Sequence, residues 1–105
     1  MKEKSMSLRR QQSKFAKALG SLLCYAYLSG YEITLGDTYP GKFKHRLNGA
    51  HPKGLAIDIN LFINDIYMED TLSHTLLGKY WKTLGGIWGG DFKKPDGNHY
   101  EWPRK

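Results

Sequence analysis

Two short stretches of the sequence bring together residue types that can bind a metal ion or move a proton. The first runs from His51 to Asp58, and the second runs from Asp96 to Glu101 and contains His99. Each stretch combines histidine and carboxylate side chains with a tight turn. Imidazole nitrogens and carboxylate oxygens are common zinc ligands. The two stretches therefore predict a supply of nitrogen and oxygen donors for zinc.

The spacing of His51 and Asp58 requires a turn between them. Residues an odd number apart on one regular strand point to opposite faces of the sheet. Pro52-Lys53-Gly54 supplies residue types typical of a turn. We therefore expect the backbone to turn there, so that both side chains can face one site.

The last stretch predicts a strand with two different faces. His99 and Glu101 share one face by alternation, while Tyr100 and Trp102 share the other and are expected to pack into the core. Pro95-Asp96-Gly97-Asn98 precedes this strand and is typical of a turn.

A zinc site of this kind is suited to hydrolysis. Three protein ligands leave a fourth position for water, which distinguishes catalytic from structural zinc sites. Zinc lowers the pKa of its water from about 15.7 to about 7. A nearby carboxylate must still take up the proton and pass it to the leaving group, and Asp96 and Glu101 are the candidates.

The elements that must position these residues form an irregular series of helices and strands. The predicted order is a helix over residues 7–29, strands over 31–35, 55–62 and 66–68, a helix over 71–84, and a final strand over 99–102. Because helices and strands do not alternate regularly, the predicted fold class is α+β.

Hydrophobic patterns predict which side chains form the core. Odd-numbered residues of 55–61 are apolar and should face inward, which leaves Asp58 on the opposite face. The second helix is predicted to bury one side, formed by Leu72, Leu76, Tyr80 and Leu84. Cys24 is predicted to be buried.

Aromatic and histidine residues outside the two stretches have simpler interpretations. His74 is interpreted as structural or exposed. The three tryptophans would suit a carbohydrate platform, but core packing is the favoured interpretation for Trp81, Trp88 and Trp102.

Size and charge limit the remaining possibilities. A chain of 105 residues, with 40% hydrophobic and 25% charged residues, is expected to form one folded domain. A net charge of +6 indicates attraction to a polyanion, either nucleic acid or an anionic cell-wall polymer. Charge alone does not separate these two partners.

The pattern His51-x-x-Gly54-x-Ala56-x-Asp58, followed by Asp96-x-x-His99, resembles one family of cell-wall enzymes. This is the zinc D-Ala-D-Ala carboxypeptidase and L-alanyl-D-glutamate endopeptidase family, which includes many phage endolysins and shares a fold with the Hedgehog signalling domain. The likeness extends from about Leu8 to the end, and further matches lie at 36–39, 59–62, 80–82 and 85–92.

The resemblance implies a role for each matching residue. It makes His51, Asp58 and His99 the zinc ligands and Asp96 the general base. It assigns no role to Glu101, which we expect to orient His99 or contact substrate. It also implies one zinc peptidase domain over residues 1–105, with an antiparallel sheet, flanking helices and a flexible segment at 1–6.

Two positions depart from the family pattern. A serine commonly precedes the first histidine, where this chain has Asn48-Gly49-Ala50, and an arginine often follows the tyrosine matching Tyr39, where this chain has Pro40. The basic residue that would face the developing oxyanion is therefore open, and the candidates are Lys44, His45 and Arg46.

The expected activity is zinc-dependent hydrolysis of an amide bond in the peptidoglycan stem peptide. L-alanyl-D-glutamate endopeptidase activity is favoured, and the alternatives are D-Ala-D-Ala carboxypeptidase activity or a non-catalytic, zinc-containing wall-binding module. The expected partner is bacterial peptidoglycan rather than nucleic acid, and the expected state is a monomer.

The expected location follows from the N-terminal sequence. Residues 1–12 lack the apolar core of a signal peptide, and the run Leu22–Leu28 is too short to span a membrane. We therefore expect synthesis in a host bacterial cytoplasm without membrane insertion, followed by action on the wall after release with the help of a holin.

Overall fold

The computed structural model describes residues 7–36 and 53–104. Helix α1 is Leu8–Leu28 and α2 is Thr75–Thr83. The strands are β1 Glu32–Leu35, β2 Ala56–Ile63, β3 Ile66–Met68, β4 Ile87–Trp88 and β5 His99–Glu101, with short 3-10 helices at Thr71–His74 and Gly89–Asp91. Three predicted features lie outside the described residues, namely the flexible segment 1–6, His51 and the oxyanion candidates at 44–46.

Helix α1 has the boundaries that its capping residues predict. The Ser7 hydroxyl accepts a hydrogen bond from the Arg10 backbone N–H at 3.2 Å, and Gly30 follows the helix with a φ of +92°. The buried side is formed by Gln11, Phe15, Ala18, Leu22 and Ala26. Cys24 lies away from this side and is exposed, so the prediction that it is buried was wrong.

The sheet is antiparallel and is organised around β2. Strand order is β1-β2-β5-β4, and β3 also pairs with β2. The second half of β2 pairs with β1, whereas its first half pairs with β5. Asn64 and Asp65 connect β2 to β3 with φ values of 52° and 66°, as in hairpin turns with two left-handed residues. The α+β class with an antiparallel sheet is therefore confirmed.

One side of the sheet carries the core and both helices. Ile57, Ile59 and Leu61 of β2 and the preceding Leu55 are at most 2% exposed, as the alternation predicts. Trp81 lies at the centre, edge-on to Phe15 and Tyr100 at centroid distances of 6.0 and 6.1 Å. Its indole N–H lies 3.1 Å from both the Ile87 and the Glu101 carbonyl oxygens. The tryptophans therefore pack in or against the core.

The second helical segment buries only part of the side that was predicted, because Tyr80 and Leu84 pack partly buried against the core whereas the two leucines before them do not. Leu72 is 82% exposed and Leu76 is 41% exposed, while Leu77 and Trp81 are fully buried. Both sets of residues recur at helical spacing, so periodicity alone does not separate them. The segment starts as a 3-10 helix with about three residues per turn, which changes the register of the side chains before α2 begins.

Neither α1 nor α2 is long and apolar enough to cross a membrane, within the part of the chain that the structure describes.

Candidate metal and catalytic site

Asp58 and His99 face each other across two neighbouring strands. They are directly paired in the antiparallel register of β2 and β5. The Asp58 Oδ1 and His99 Nδ1 atoms lie 3.5 Å apart. A hydrogen bond from the Ile59 backbone N–H to the Asn98 carbonyl oxygen, at 2.8 Å, continues the pairing beyond them. The backbone ladder therefore sets the distance between the two side chains.

Glu101 contacts the other nitrogen of the same imidazole. Its Oε1 atom lies 2.7 Å from His99 Nε2, and both residues lie on the same face of β5 as alternation requires. A carboxylate at Nε2 fixes the orientation of the ring and directs Nδ1 toward Asp58. Carboxylate–histidine pairs of this kind commonly support metal-binding histidines.

The charge state of His99 reflects opposing influences. Burial lowers its pKa, but hydrogen bonds and charge interactions with Asp58 and Glu101 outweigh burial and raise the pKa to about 9. The two carboxylates therefore make this site attractive to a positive charge.

Asp96 lies in the turn that leads into β5. Its carbonyl oxygen accepts a hydrogen bond from the His99 backbone N–H at 3.1 Å, and its own N–H donates to the Gly89 carbonyl oxygen at 2.9 Å. These bonds fix the backbone of Asp96 next to His99, while the residue itself is exposed to solvent.

The rest of this turn is held by side chains from two other elements. The Trp88 indole N–H donates to the Gly97 carbonyl oxygen at 2.7 Å. The Gly97 N–H donates to the Thr71 hydroxyl at 3.1 Å. A Cβ atom on Gly97 would approach the Thr71 Cα to 2.6 Å, closer than real Cβ atoms come. The position of Asp96 therefore depends on β4 and on the 3-10 helix before α2.

One residue that supports the site, Phe92, was not predicted from the sequence, whereas His74 was interpreted as structural or exposed. Phe92 packs against the His99 ring at a centroid distance of 5.5 Å and is 38% exposed. His74 is buried, and its Nδ1 lies 2.8 Å from the Tyr100 hydroxyl on the core side of β5. The run Gly89-Gly90-Asp91-Phe92 is the only feature of the sequence that drew attention to Phe92. The order of residues in this run does not indicate that the Phe92 ring contacts His99.

The chain enters the undescribed segment 37–52 beside Asp58. The Gly36 backbone N–H donates to the Asp58 carbonyl oxygen at 2.7 Å. A Cβ on Gly36 would lie 3.1 Å from the Asp58 Cβ. The expected ligand His51 and the oxyanion candidates Lys44, His45 and Arg46 belong to that segment, outside the described residues.

The donor atoms that are described fit a zinc ion. Two ligand atoms about 2.0–2.2 Å from one tetrahedral metal are about 3.4 Å apart, close to the 3.5 Å between Asp58 Oδ1 and His99 Nδ1. Glu101 supplies the supporting carboxylate that such a histidine needs. Within residues 7–36 and 53–104, no group of three His, Cys, Asp or Glu side chains is placed to hold a metal. The expected third ligand, His51, lies beyond these ranges.

Comparisons with known proteins show the family of the chain. Residues 44–102, more than half of the chain, match a family model described as D-alanyl-D-alanine carboxypeptidase. The chain belongs to this family. The match spans Asp58, Asp96 and His99, so the resemblance noted in the sequence is confirmed. Membership of the D-alanyl-D-alanine carboxypeptidase family identifies the protein as a peptidoglycan peptidase.

A solved structure shows the same fold. The chain is similar to the crystal structure of the Serratia marcescens L-Ala D-Glu endopeptidase ChiX, with a TM-score of 0.68 and 14% identity. The similarity covers 87% of this chain and 79% of that one. No curated protein matches the chain.

Proposed function

We propose that this peptidoglycan peptidase is a zinc enzyme that hydrolyses the L-alanyl-D-glutamate bond of the stem peptide. The observation that carries the proposal is the arrangement around His99. One imidazole nitrogen faces Asp58, the other contacts Glu101, and the turn bearing Asp96 hydrogen-bonds the His99 backbone.

In the proposed site, Asp58 and His99 hold zinc together with His51. Glu101 keeps the His99 ring oriented through the 2.7 Å contact with Nε2. Asp58 and His99 come from paired strands, so their donor atoms are preorganised before the metal binds. When bound, zinc would supply a Lewis acid beside the scissile carbonyl group.

Asp96 is proposed as the general base and acid. Its backbone is fixed next to His99 while its side chain remains accessible, so water and substrate can both reach the carboxylate. It would take a proton from the attacking water and then donate a proton to the leaving nitrogen, which conserves the proton over the reaction.

A basic residue from the 44–46 segment is proposed to face the developing oxyanion. Lys44, His45 and Arg46 are the candidates, because Pro40 stands where relatives often carry an arginine. A fixed positive charge near an oxyanion stabilises the transition state more than the ground state.

The choice of bond rests on the likeness of the chain to short phage enzymes. The alternative activity is that of a D-Ala-D-Ala carboxypeptidase, which the description of the matching family favours. A second alternative is a non-catalytic zinc module that binds the wall. The proposed setting is phage lysis, in which the protein reaches the wall with the help of a holin.

The deciding experiment is mass spectrometry of peptidoglycan fragments after digestion. Parallel reactions contain added zinc, a chelator, or the variant Asp96→Asn with zinc, and Glu32→Gln serves as an exposed carboxylate control. We expect stem peptides that begin with D-glutamate only with zinc and an intact Asp96. Loss of the general base should reduce the rate by about 10²–10⁴-fold.

The products separate the three candidate functions. Loss of terminal D-alanine alone would identify a carboxypeptidase. If intact, zinc-loaded protein releases no product, the enzymatic proposal fails and the wall-binding alternative replaces it.

A further inference from the structure

Two adjoining surface recesses form a trough along α1. The smaller has a volume of about 220 Å³ and lies between α1 and the end of the chain, with Lys14, Leu84 and Trp102 in its wall. The larger has a volume of about 560 Å³ and continues along α1 as far as Leu28. Tyr80 of α2 also lines it. Both recesses are lined by Lys17 and Ser21, so they form one elongated surface.

The trough carries positive charge from α1. This helix contains Arg9, Arg10, Lys14 and Lys17 and no acidic residue. Arg10, Lys14 and Lys17 are spaced by four and three positions, which places them along one face. Neither recess is lined by a carboxylate among the described residues. The trough therefore complements an anionic ligand.

Trp102 gives the trough an aromatic wall. The residue is partly buried, with its ring packed edge-on against Trp81 at a centroid distance of 5.6 Å, so the ring is held in place. A fixed indole surface can pack against the apolar C–H face of a sugar ring. Tyr25 and Tyr80, stacked at 4.1 Å, line the neighbouring recess.

The trough lies on the opposite side of the sheet from the candidate metal site. Trp102 and Tyr100 point toward the helices, whereas His99 and Glu101 point away from them. A chain bound along α1 would therefore leave the site around His99 open. The two surfaces can be occupied at the same time.

We propose that this trough is a second peptidoglycan-binding site, which holds a neighbouring strand of the polymer. Sugar rings would pack on Trp102, and stem-peptide carboxylates would interact with Lys14 and Lys17. The open, elongated shape suits a polymer better than a small molecule, whose pockets usually enclose most of the ligand. The choice of occupant rests on the proposed function, because peptidoglycan is the anionic polymer on which that function acts.

A second contact with the same polymer would lower the KM of the enzyme for cross-linked peptidoglycan. Binding of one strand in the trough raises the effective concentration of nearby stem peptides at the metal site. Loss of the trough should therefore increase KM for cross-linked sacculi, while kcat and cleavage of small soluble muropeptides stay unchanged.

The test compares two double variants with the same net charge. Lys14→Gln/Lys17→Gln alters the trough, and Lys79→Gln/Lys93→Gln alters exposed lysines outside it. Glutamine preserves helix propensity close to that of lysine. Co-sedimentation uses zinc-loaded protein in an Asp96→Asn background and purified sacculi stripped of phosphate polymers by hydrofluoric acid, in the cold, so that cleavage is suppressed. We expect roughly fivefold weaker binding for the trough variant and little change for the control.

Each other outcome overturns the proposal. Equal losses in both variants would show that net charge alone drives binding, and unchanged binding would show that the trough is not used. A loss seen only with unstripped sacculi would assign the trough to phosphate polymers, and a loss confined to duplex DNA would assign it to nucleic acid. Cleavage of soluble muropeptides is measured separately, so a failure of the proposed activity is distinguished from a failure of the trough.

Discussion

His99 is held at both nitrogens of its ring. Glu101 lies 2.7 Å from Nε2, and Asp58 lies 3.5 Å from Nδ1. The contact with Glu101 is made by Nε2, so Nδ1 points toward Asp58. A metal bound there would contact both His99 and Asp58. At the scale of single residues, the orientation of the His99 ring therefore depends on Glu101 as well as on Asp58.

Glu101→Gln is expected to weaken zinc binding by about 10–100-fold, because an amide supports the imidazole less strongly than a carboxylate does. The dissociation constant is measured by competition with a chromophoric chelator. Glu69→Gln, at an exposed position, is the control and should bind zinc normally. Equal affinities in the two variants would remove Glu101 from the metal site.

His74 behaves differently from His99 because burial has the largest effect on its pKa and is not outweighed by the other influences. Burial lowers its pKa, and charge interactions with Asp70 and Asp96 only partly oppose this effect. Its Nδ1 lies 2.8 Å from the Tyr100 hydroxyl, and burial in turn raises the pKa of Tyr100. The folded protein therefore favours neutral His74.

The free energy of unfolding should consequently fall as the pH is lowered through about 6.5. Below that pH the unfolded chain binds a proton at His74 that the folded chain resists, so protonation favours unfolding. Urea titrations of metal-free protein between pH 7.5 and 5 should show a steeper loss of stability for the wild type than for His74→Gln. The difference in slope is at most about 1.4 kcal/mol per pH unit. Identical slopes would contradict a neutral, buried His74.

At the scale of elements, the turn bearing Asp96 is positioned by parts of the chain that are distant in sequence. Trp88 on β4 and Thr71 on the 3-10 helix both hydrogen-bond Gly97. Trp88 in turn packs directly against Gly78 of α2, where there is no room for a side chain. The packing of α2 against β4 thus extends to the turn that contains Asp96.

Gly78→Ala should therefore destabilise the protein by about 1–3 kcal/mol, because the added methyl group would collide with the Trp88 ring. Alanine is more favourable than glycine in a helix by about 1 kcal/mol. Helix propensity alone therefore predicts that Gly78→Ala stabilises the protein. Gly20→Ala in α1 is the matched control, since a Cβ there meets nothing within 4 Å. This variant should gain up to about 1 kcal/mol. Urea unfolding measures both, and a stabilised Gly78→Ala would contradict the packing described here.

At the scale of the whole molecule, the proposed zinc site would join the sheet to the segment 37–52. Asp58 and His99 belong to paired strands, and the segment follows Gly36, whose backbone N–H donates to the Asp58 carbonyl oxygen. A ligand from this segment would link it to β2 and β5. Metal binding would then contribute directly to the stability of the fold.

Zinc is expected to stabilise the wild-type protein by about 4 kcal/mol at a free concentration about 1,000 times Kd. For a chain of this size the increase in Tm should exceed about 10 °C. His51→Gln should lose most of this increase, whereas His45→Gln, in the same segment, should keep it. Thermal unfolding with zinc and with chelator measures the effect. A full zinc response in His51→Gln would remove that residue from the ligand set.

The sequence by itself determined the main elements and several details of the site. Local signals were sufficient for α1, because Ser7 and Gly30 mark its ends, and for β2, because its apolar residues alternate. Alternation also placed His99 and Glu101 on one face of β5. These features depend on residues that are close together in the sequence. Residue types and their spacing are therefore sufficient to predict them.

Tertiary structure decided what depends on contacts between distant segments. The buried side of α2 followed Leu77 and Trp81 rather than Leu72 and Leu76, because the position of the sheet selects between two periodic sets. The contact of Phe92 with His99, the support of Gly97 by Trp88 and Thr71, and the trough along α1 likewise arise only when separate elements pack together. No periodicity in the sequence encodes such contacts, since they depend on how the elements are placed in three dimensions.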